Sequence, residues 1–274
     1  MSIFNESVNI RKIVVHGGVF HLDDLLTVAI IRHEFPDVEV VRLNNPSLNT
    51  AGPETGIVIA DVGKVYDPER WLFDHHQDVY NTESDPATVK AAVGRMWDAF
   101  GKTKDYAGLT ELVHAVDLHD TGVKWTPLGA AIRSFAPNWD EEDFTMGEAF
   151  FEALEWLQPL VDRIIRKDEA RLNVDEVLDT VEVRNGVMIL TKFVPWQGYV
   201  KKRDDVIAVV FPGRDPGTWN LQIPQGKGLF PAEWLTTKPE GITFMVNWRT
   251  MITVDTIDRA IELANEVLNN RDAA

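Results

Sequence analysis

Three short apolar runs, each ending in a histidine or an aspartate, constrain this chain more than any other feature. Lys12 to Val15 runs into His16, Ile57 to Ala60 into Asp61, and Trp71 to Phe73 into Asp74-His75-His76. Short runs without polar alternation read as strands buried on both faces. Between the first two lie a loop, His16 to Asp24, an apolar helical stretch, Leu25 to Phe35, and a further strand, Val38 to Leu43. Helical patterns follow from about Ala87 to Phe100 and from Leu109 to Leu118. Alternating strands and helices predict an α/β domain with a parallel sheet and crossover connections. Ligands of open parallel sheets bind beyond the carboxyl ends of the strands. Three strands would therefore deliver imidazoles and carboxylates to one edge.

The residue types at that edge suit a metal. His16 and His21 lie beside Asp23 and Asp24, and His75 and His76 follow Asp74. Asp117 and Asp120, at the end of a helical pattern, complete the set. With no cysteine in the chain, any metal is held by nitrogen and oxygen. Such mixed ligands favour Mn²⁺, Zn²⁺, Fe²⁺ or Co²⁺ over Ca²⁺. A pair of ions about 3.5 to 4 Å apart can activate water and clamp both oxygens of a phosphoryl displacement. A bridging carboxylate is needed to hold them so close, and Asp61 is the candidate. A histidine not bound to metal would protonate the leaving oxygen or contact the phosphate. A lone histidine at a strand end is usually only a satisfied polar group, so the weight rests on the grouping; His33, His114 and His119 are left as structural or surface residues.

Beyond this region the pattern changes. Phe144 to Leu172 is a long amphipathic stretch that Pro159 should kink or divide. Asn185-Gly186, between Val177–Arg184 and Val187–Phe193, is a hairpin signal, because the tight turn needs positive φ at both central residues. Val206 to Phe211, Trp219 to Ile223 and Thr243 to Trp248 read as further strands and Thr256 to Leu268 as a closing helix. The expected organisation is a metal-binding catalytic domain over residues 1–145, a helical connector over 146–174, and a smaller, mostly antiparallel α+β substrate-binding domain over 175–274. The basic run Lys201-Lys202-Arg203, with Arg214 and Arg249, lies among Trp196, Trp219 and Trp248. Cations with interleaved rings are what a single-strand groove uses. These five basic residues are the candidate phosphate contacts, Arg214 and Arg249 foremost, on a second domain expected to cover the metals. Tryptophans on strands are, however, more often core. A formal net charge of −16 argues against a general duplex binder, though bound cations can reverse the field within one cleft. No apolar run reaches membrane-spanning length and none resembles a signal peptide, so the expectation is a cytoplasmic protein, with an oligomer allowed.

The order and spacing of His16-Gly-Gly-Val-Phe-His21-Leu-Asp23-Asp24, Asp61-Val-Gly, Tyr66-Asp67-Pro68, Asp74-His75-His76-Gln77 and Val116-Asp117-Leu-His-Asp120-Thr-Gly122 resemble the MYG1 family, a branch of the DHH phosphoesterase superfamily. The match covers roughly residues 12 to 122. Pro195-Trp196 and the strand-then-helix ending, Phe244 to Leu268, resemble the family's C-terminal half. The resemblance implies a DHH-type fold and a two-metal site. His16 and His21 would hold one ion and Asp23, His75 and Asp117 the other, with Asp61 bridging. Asp74 would orient a ligand, His76 would face the phosphate, and Asp120 is the alternative to Asp117. It also implies Mn²⁺-type dependence and 3′-to-5′ exonuclease activity on RNA, and the leading expectation is a two-metal phosphodiesterase acting on RNA or DNA ends, with single-stranded nucleic acid or a nucleotide as substrate. Two other readings stand beside it: a small-molecule phosphohydrolase acting on pyrophosphate or a dinucleotide, and a metal-binding regulatory protein without turnover. The chain departs from the family in one place. A Gly-Gly turn expected before the last helix is replaced by Asn247 to Thr253, which holds no glycine.

Overall fold

The computed structural model describes residues 2–5, 8–77, 90–141 and 143–272. The chain divides into two compact units, Met1–Glu169 and Ala170–Ala274.

In the first unit, β1 (Lys12–Val15), β2 (Glu39–Arg42), β3 (Ile57–Ala60), β4 (Tyr66–Asp67) and β5 (Leu72–Phe73) form a sheet in the order β2-β1-β3-β5-β4. All pairs are parallel except β4 with β5, so β1, β3 and β5 run side by side in one direction. This is the expected α/β arrangement. Helices α1 (Leu22–Glu34), α2 (Ala92–Phe100), α3 (Ala107–Asp120), α4 (Pro127–Arg133) and α5 (Met146–Leu172) accompany it. The core is aliphatic and aromatic, with Leu25, Leu26, Ile30, Phe73, Trp97 and Phe150 fully buried.

Two boundaries differ from the sequence reading in ways that matter for the site. Helix α1 begins at Leu22, not Leu25, because Asp24 reaches back to accept a hydrogen bond from the His21 backbone N–H at 3.0 Å. This is half of a capping box, and it puts Asp23 and Asp24 on the first turn of a helix. Helix α3 continues to Asp120, so Asp117 and Asp120 lie one turn apart on it. The expected start of α2 at Ala87 to Val89 lies outside the described residues. Helix α4, started by Thr126 accepting from Gly129 N–H with Pro127 in the first turn, was not anticipated. Pro159 sits within α5 without ending it.

In the second unit, β6 (Val183–Arg184), β7 (Val187–Ile189), β8 (Ala208–Pro212), β9 (Trp219–Gln222), β10 (Ile242–Met245) and β11 (Met251–Val254) form a sheet in the order β10-β11-β9-β8-β7-β6. Only β7 with β8 is parallel among these pairs. Helices α6 (Val174–Asp179), α7 (Gln197–Val200) and α8 (Ile257–Asp272) complete it. Val210 packs in the cluster with Leu263 and Ala264 of α8, while Val209 packs with Leu178 of α6 and Val200 of α7. That is the two-residue alternation of a sheet covered on both faces. Asn185 and Gly186 make the expected turn with φ of 50° and 79°. The expected strand Val177–Arg184 begins as helix and runs through a turn: Val174 and Leu178, four residues apart, are both buried on α6, which ends at Asp179, and only Val183–Arg184 pair as strand. Trp196 is core, Trp219 packs against the other cluster, that of Val210 and Leu263, and Trp248 is exposed.

The buried carboxylate of Asp168 on α5 accepts from Gly108 and Leu109 N–H, at 3.1 and 2.9 Å, at the start of α3. These amides have no partner within their own helix. Asp168→Ala should therefore destabilise the first unit by about 2–3 kcal/mol, the cost of stranding buried donors that had met a charged acceptor. A thermal unfolding midpoint unchanged from the parent would contradict this.

Candidate metal centre

His16 follows β1, Asp61 follows β3, and Asp74-His75-His76 follow β5. Because these three strands are parallel neighbours, their carboxyl ends converge, and the first turn of α1 adds Asp23 and Asp24. Asp61 adopts a left-handed backbone with φ of 56°, which aspartate tolerates better than most residues, and its N–H donates to Phe73 O across to β5.

Asp61 lies at the middle of the cluster. Its Oδ2 is 3.2 Å from His16 Nε2, and its Oδ1 is 3.2 Å from His75 Nε2. Three groups of side chains have ligand atoms close enough to share an ion: His16, His21 and Asp61; Asp61, His75 and His76; and Asp23, His75 and Asp120. His75 Nε2 is 3.2 Å from Asp120 Oδ2 and 3.9 Å from Asp23 Oδ2. Asp24 Oδ2 is 3.1 Å from His16 Nε2.

The donor set fits divalent cations. His75 Nε2, Asp61 Oδ1 and Asp24 Oδ2 are buried and make no hydrogen bond. Buried polar atoms are rarely left so, and a cation is the partner that lone pairs converging from nitrogen and oxygen would share. The His16 ring is oriented for this: Nδ1 is 2.9 Å from Gly17 O, to which it donates, leaving the Nε2 lone pair toward the cluster. The local field is strongly negative. Burial alone would lower the pKa of His16, but its contacts with Asp24 and Asp61 outweigh that and carry it to about 11. Burial likewise would lower the pKa of His75, but Asp120 and Asp61 override it and raise the ring to about 10. Burial, then the charges of Asp61 and Asp120, push Asp23 well above the usual carboxylate range.

Asp23 has a second task. Its two oxygens accept from Ala92 and Val93 N–H, at 2.9 and 2.7 Å, neutralising the amino end of α2. Asp117 serves the same helix end. Its Oδ1 accepts from Ala91 N–H at 3.0 Å, and its carboxylate packs so closely on Gly94 that a Cβ there would meet it at 2.2 Å. Asp117 belongs to none of the three groups that could hold an ion, whereas Asp120, one turn on, does.

Asp74 organises the loop after β5. It accepts from Lys64 N–H, His76 N–H and His76 Nδ1–H, at 2.5, 3.0 and 2.8 Å. Burial would raise its pKa, but the His76 and Lys64 bonds outweigh this and hold it low. The His76 side chain is 55% exposed. Arg95, on α2, was not singled out in the sequence: it is buried, its Nη1 donates to Asp74 O at 2.5 Å and to Gln77 Oε1 at 2.9 Å, and its guanidinium lies over the Tyr66 ring. No spacing rule marks it, since it reaches the loop from a helix more than fifteen residues away in sequence.

The five candidate phosphate contacts lie in the second unit. Arg203 is bound to Asp205 and to the Tyr199 hydroxyl, Lys202 is 3.9 Å from Asp175, and Arg249 Nη1 donates to Phe230 O. Among the described residues Lys201 and Arg214 have no side-chain partner. The glycine-free turn between β10 and β11 uses Arg249 in the left-handed region, with φ of 58°.

Residues 12–105 match the family model MYG1_exonuc, described as an uncharacterised protein family, UPF0160. This is the family that the sequence motifs resemble. The chain is 26% identical over 238 residues to a MYG1 protein of Schizosaccharomyces pombe, covering 70% of each. It is 24% identical over 272 residues to the MYG1 exonuclease of Bos taurus, covering 77% of this chain and 68% of that one. Among solved structures, a pGpG-specific phosphodiesterase, PggH, from Vibrio aligns over 96% of this chain and 99% of its own at 12% identity, with a TM-score of 0.31. RecJ of Thermus thermophilus in complex with Mn²⁺ aligns over 96% and 52% at 14% identity, also with a TM-score of 0.31. Superpositions this loose bear on neither fold nor chemistry.

The different settings of the two α3 carboxylates give a test. Asp120→Asn should lower bound divalent metal by about one ion per chain, while Asp117→Asn should leave metal content unchanged and lower the unfolding midpoint. Elemental analysis showing loss of metal in Asp117→Asn and none in Asp120→Asn would reverse the assignment.

Proposed function

We propose that the chain is a metal-dependent phosphoester hydrolase with two divalent ions, of the Mn²⁺ type, acting as an exonuclease on ends of single-stranded RNA or DNA. The observation that carries this reading is the division of Asp61, one oxygen beside His16 and the other beside His75. A carboxylate so placed suits a bridge between two ions. The set for one ion is His16, His21 and Asp61; for the other, Asp23, Asp61, His75 and Asp120. The exonuclease reading is supported by the relatives that bear that name.

When bound, the ions would activate water and offset charge building on the phosphate. The chain's own residues do the rest. The Gly17 carbonyl fixes the His16 ring through Nδ1, and Asp24 Oδ2 lies 3.1 Å from its Nε2. Arg95 holds the Asp74 carbonyl and so the loop that carries both His75 and His76. Asp74 accepts the Nδ1 proton of His76, which leaves Nε2 of that half-exposed ring for the substrate. In that position His76 contacts the phosphate or gives a proton to the departing oxygen.

The test is purified protein with Mn²⁺, incubated side by side with 5′- and 3′-labelled RNA and DNA strands, a dinucleotide and pyrophosphate. Stepwise release of mononucleotides from a strand end is expected; hydrolysis of pyrophosphate or the dinucleotide with strands untouched would replace the exonuclease by a small-molecule enzyme, and no hydrolysis at all would refute both.

His76→Ala should cut turnover by about 10²-fold, the usual scale for a lost acid–base group, with metal content intact. Asp74→Asn should fall in the same direction, because it withdraws the anionic acceptor from Nδ1. Loss of metal from His76→Ala would instead make His76 a ligand.

A further inference from the structure

Arg42 closes β2, the strand beside β1, and pairs with Val15, the residue before His16. Its guanidinium spans two backbone carbonyls: Nη2 donates to Gly18 O at 2.6 Å and Nη1 to Met146 O at 3.0 Å. Gly18 sits in the loop from His16 to His21, which carries both imidazoles of the first ion's set, and Met146 opens α5. The same cation lies 4.5 Å from the centroid of the Phe150 ring and 5.7 Å from that of Phe20. Phe20 is the loop residue just before His21, and it is buried edge to face on Phe150 of α5. One side chain thus ties the loop at two points to the start of a helix.

The loop needs such a tie. Among the described residues, no backbone–backbone hydrogen bond holds Gly17, Gly18, Val19 or Phe20. Gly18 takes a left-handed φ of 83°, and Gly18 and Val19 are exposed. Side chains hold the loop's ends: His16 Nδ1 donates to Gly17 O, and Asp24 accepts from His21 N–H. The His21 ring is 43% exposed and enters the cluster from the junction of this loop with α1. Stability does not by itself account for an arginine here. Its Nε is buried and makes no hydrogen bond, and a stranded donor costs about 1–3 kcal/mol. Burial also works against its charge, lowering the pKa, while the charge of Asp24 opposes that. What an arginine offers is a planar fork that serves two carbonyls at once, which an ammonium lacks.

We infer that Arg42 is a positioning residue for the metal centre: it fixes the loop so that His21 stands beside His16, with ring centroids 5.8 Å apart. Its loss would weaken the set of His16, His21 and Asp61 and spare that of Asp23, Asp61, His75 and Asp120. This consequence rests on the two-ion reading; the positioning itself does not.

The experiment compares the full chain with Arg42→Met, which keeps the bulk without the charge or the donors, and Arg42→Lys, which reaches one carbonyl but not both. In metal-free protein, histidine ring resonances are followed by NMR, with His21 and His75 assigned from their loss in His21→Gln and His75→Gln. Arg42→Met should shift the His21 resonance and leave that of His75 as in the parent. Calorimetric titration with Mn²⁺ should then show one site weakened at least tenfold, the scale of a lost outer contact to a metal ligand, and the other unchanged. Arg42→Lys should show a smaller effect of the same kind. Phe150→Leu, which disturbs the packing against the cation and keeps both of its hydrogen-bond partners, should lower the unfolding midpoint with both sites intact. An unchanged His21 resonance in both Arg42 variants overturns the positioning, whatever the metal count. So does parent affinity at both sites in Arg42→Met, equal loss at both sites in a variant that still unfolds cooperatively, or loss of the same single site in Phe150→Leu. A parent that binds fewer than two ions would overturn the two-ion reading instead, and the metal-free spectra would still decide on Arg42.

Discussion

The carboxylate of Asp61 stands between two imidazoles, and the arrangement around it depends on that position. It sits at the end of β3, the middle of the three parallel strands whose carboxyl ends carry His16, Asp61 and His75. A residue on β1 or β5 could reach only one neighbour; the middle strand reaches both. The left-handed backbone at Asp61 and the hydrogen bond from its N–H to Phe73 O fix where the side chain starts. A buried anion flanked by Asp23, Asp24 and Asp120 would be costly without positive charge. His16 and His75 supply it by holding protons tightly, and divalent ions would supply it in their place.

Helix ends complete the cluster. The amino end of α2 meets Asp23 and Asp117, and the carboxyl end of α3 brings Asp120 to His75. Asp23 thus couples fold and site: its oxygens satisfy amides of α2 while Oδ2 stays within 3.9 Å of His75. Asp117 performs only the capping half of that work. Asp168 fixes the other end of α3, so the position of Asp120 is set at both ends of its helix.

Much of this was legible in the sequence because the signals were local. Strand-end polar residues after apolar runs marked His16, Asp61 and the Asp74-His75-His76 triplet, and Asn185-Gly186 marked its turn. What escaped depended on packing across the fold. Asp117 and Asp120 are three residues apart, so helical spacing places both on nearly the same face, and only the close approach of α2 at Gly94 separates them. Arg95 is invisible to any spacing rule because its partners lie 21 and 18 residues earlier in the chain. In the second unit, Val177 to Arg184 has the β-branched residues of a strand, but burial of Val174 and Leu178 keeps its first three residues in helix α6. Strand β11 was missed because Asn247 to Thr253 was read as a turn replacing Gly-Gly, whereas the turn ends at Thr250 and the chain pairs from Met251.

The central claim is that Asp61 joins two ions, and anomalous diffraction from crystals grown with Mn²⁺ tests it most directly. The account predicts two anomalous peaks about 3.5 to 4 Å apart, with one Asp61 oxygen on each. One peak should lie on His16 and His21, the other on Asp23, His75 and Asp120. A single peak, or two peaks that do not share Asp61, would contradict it.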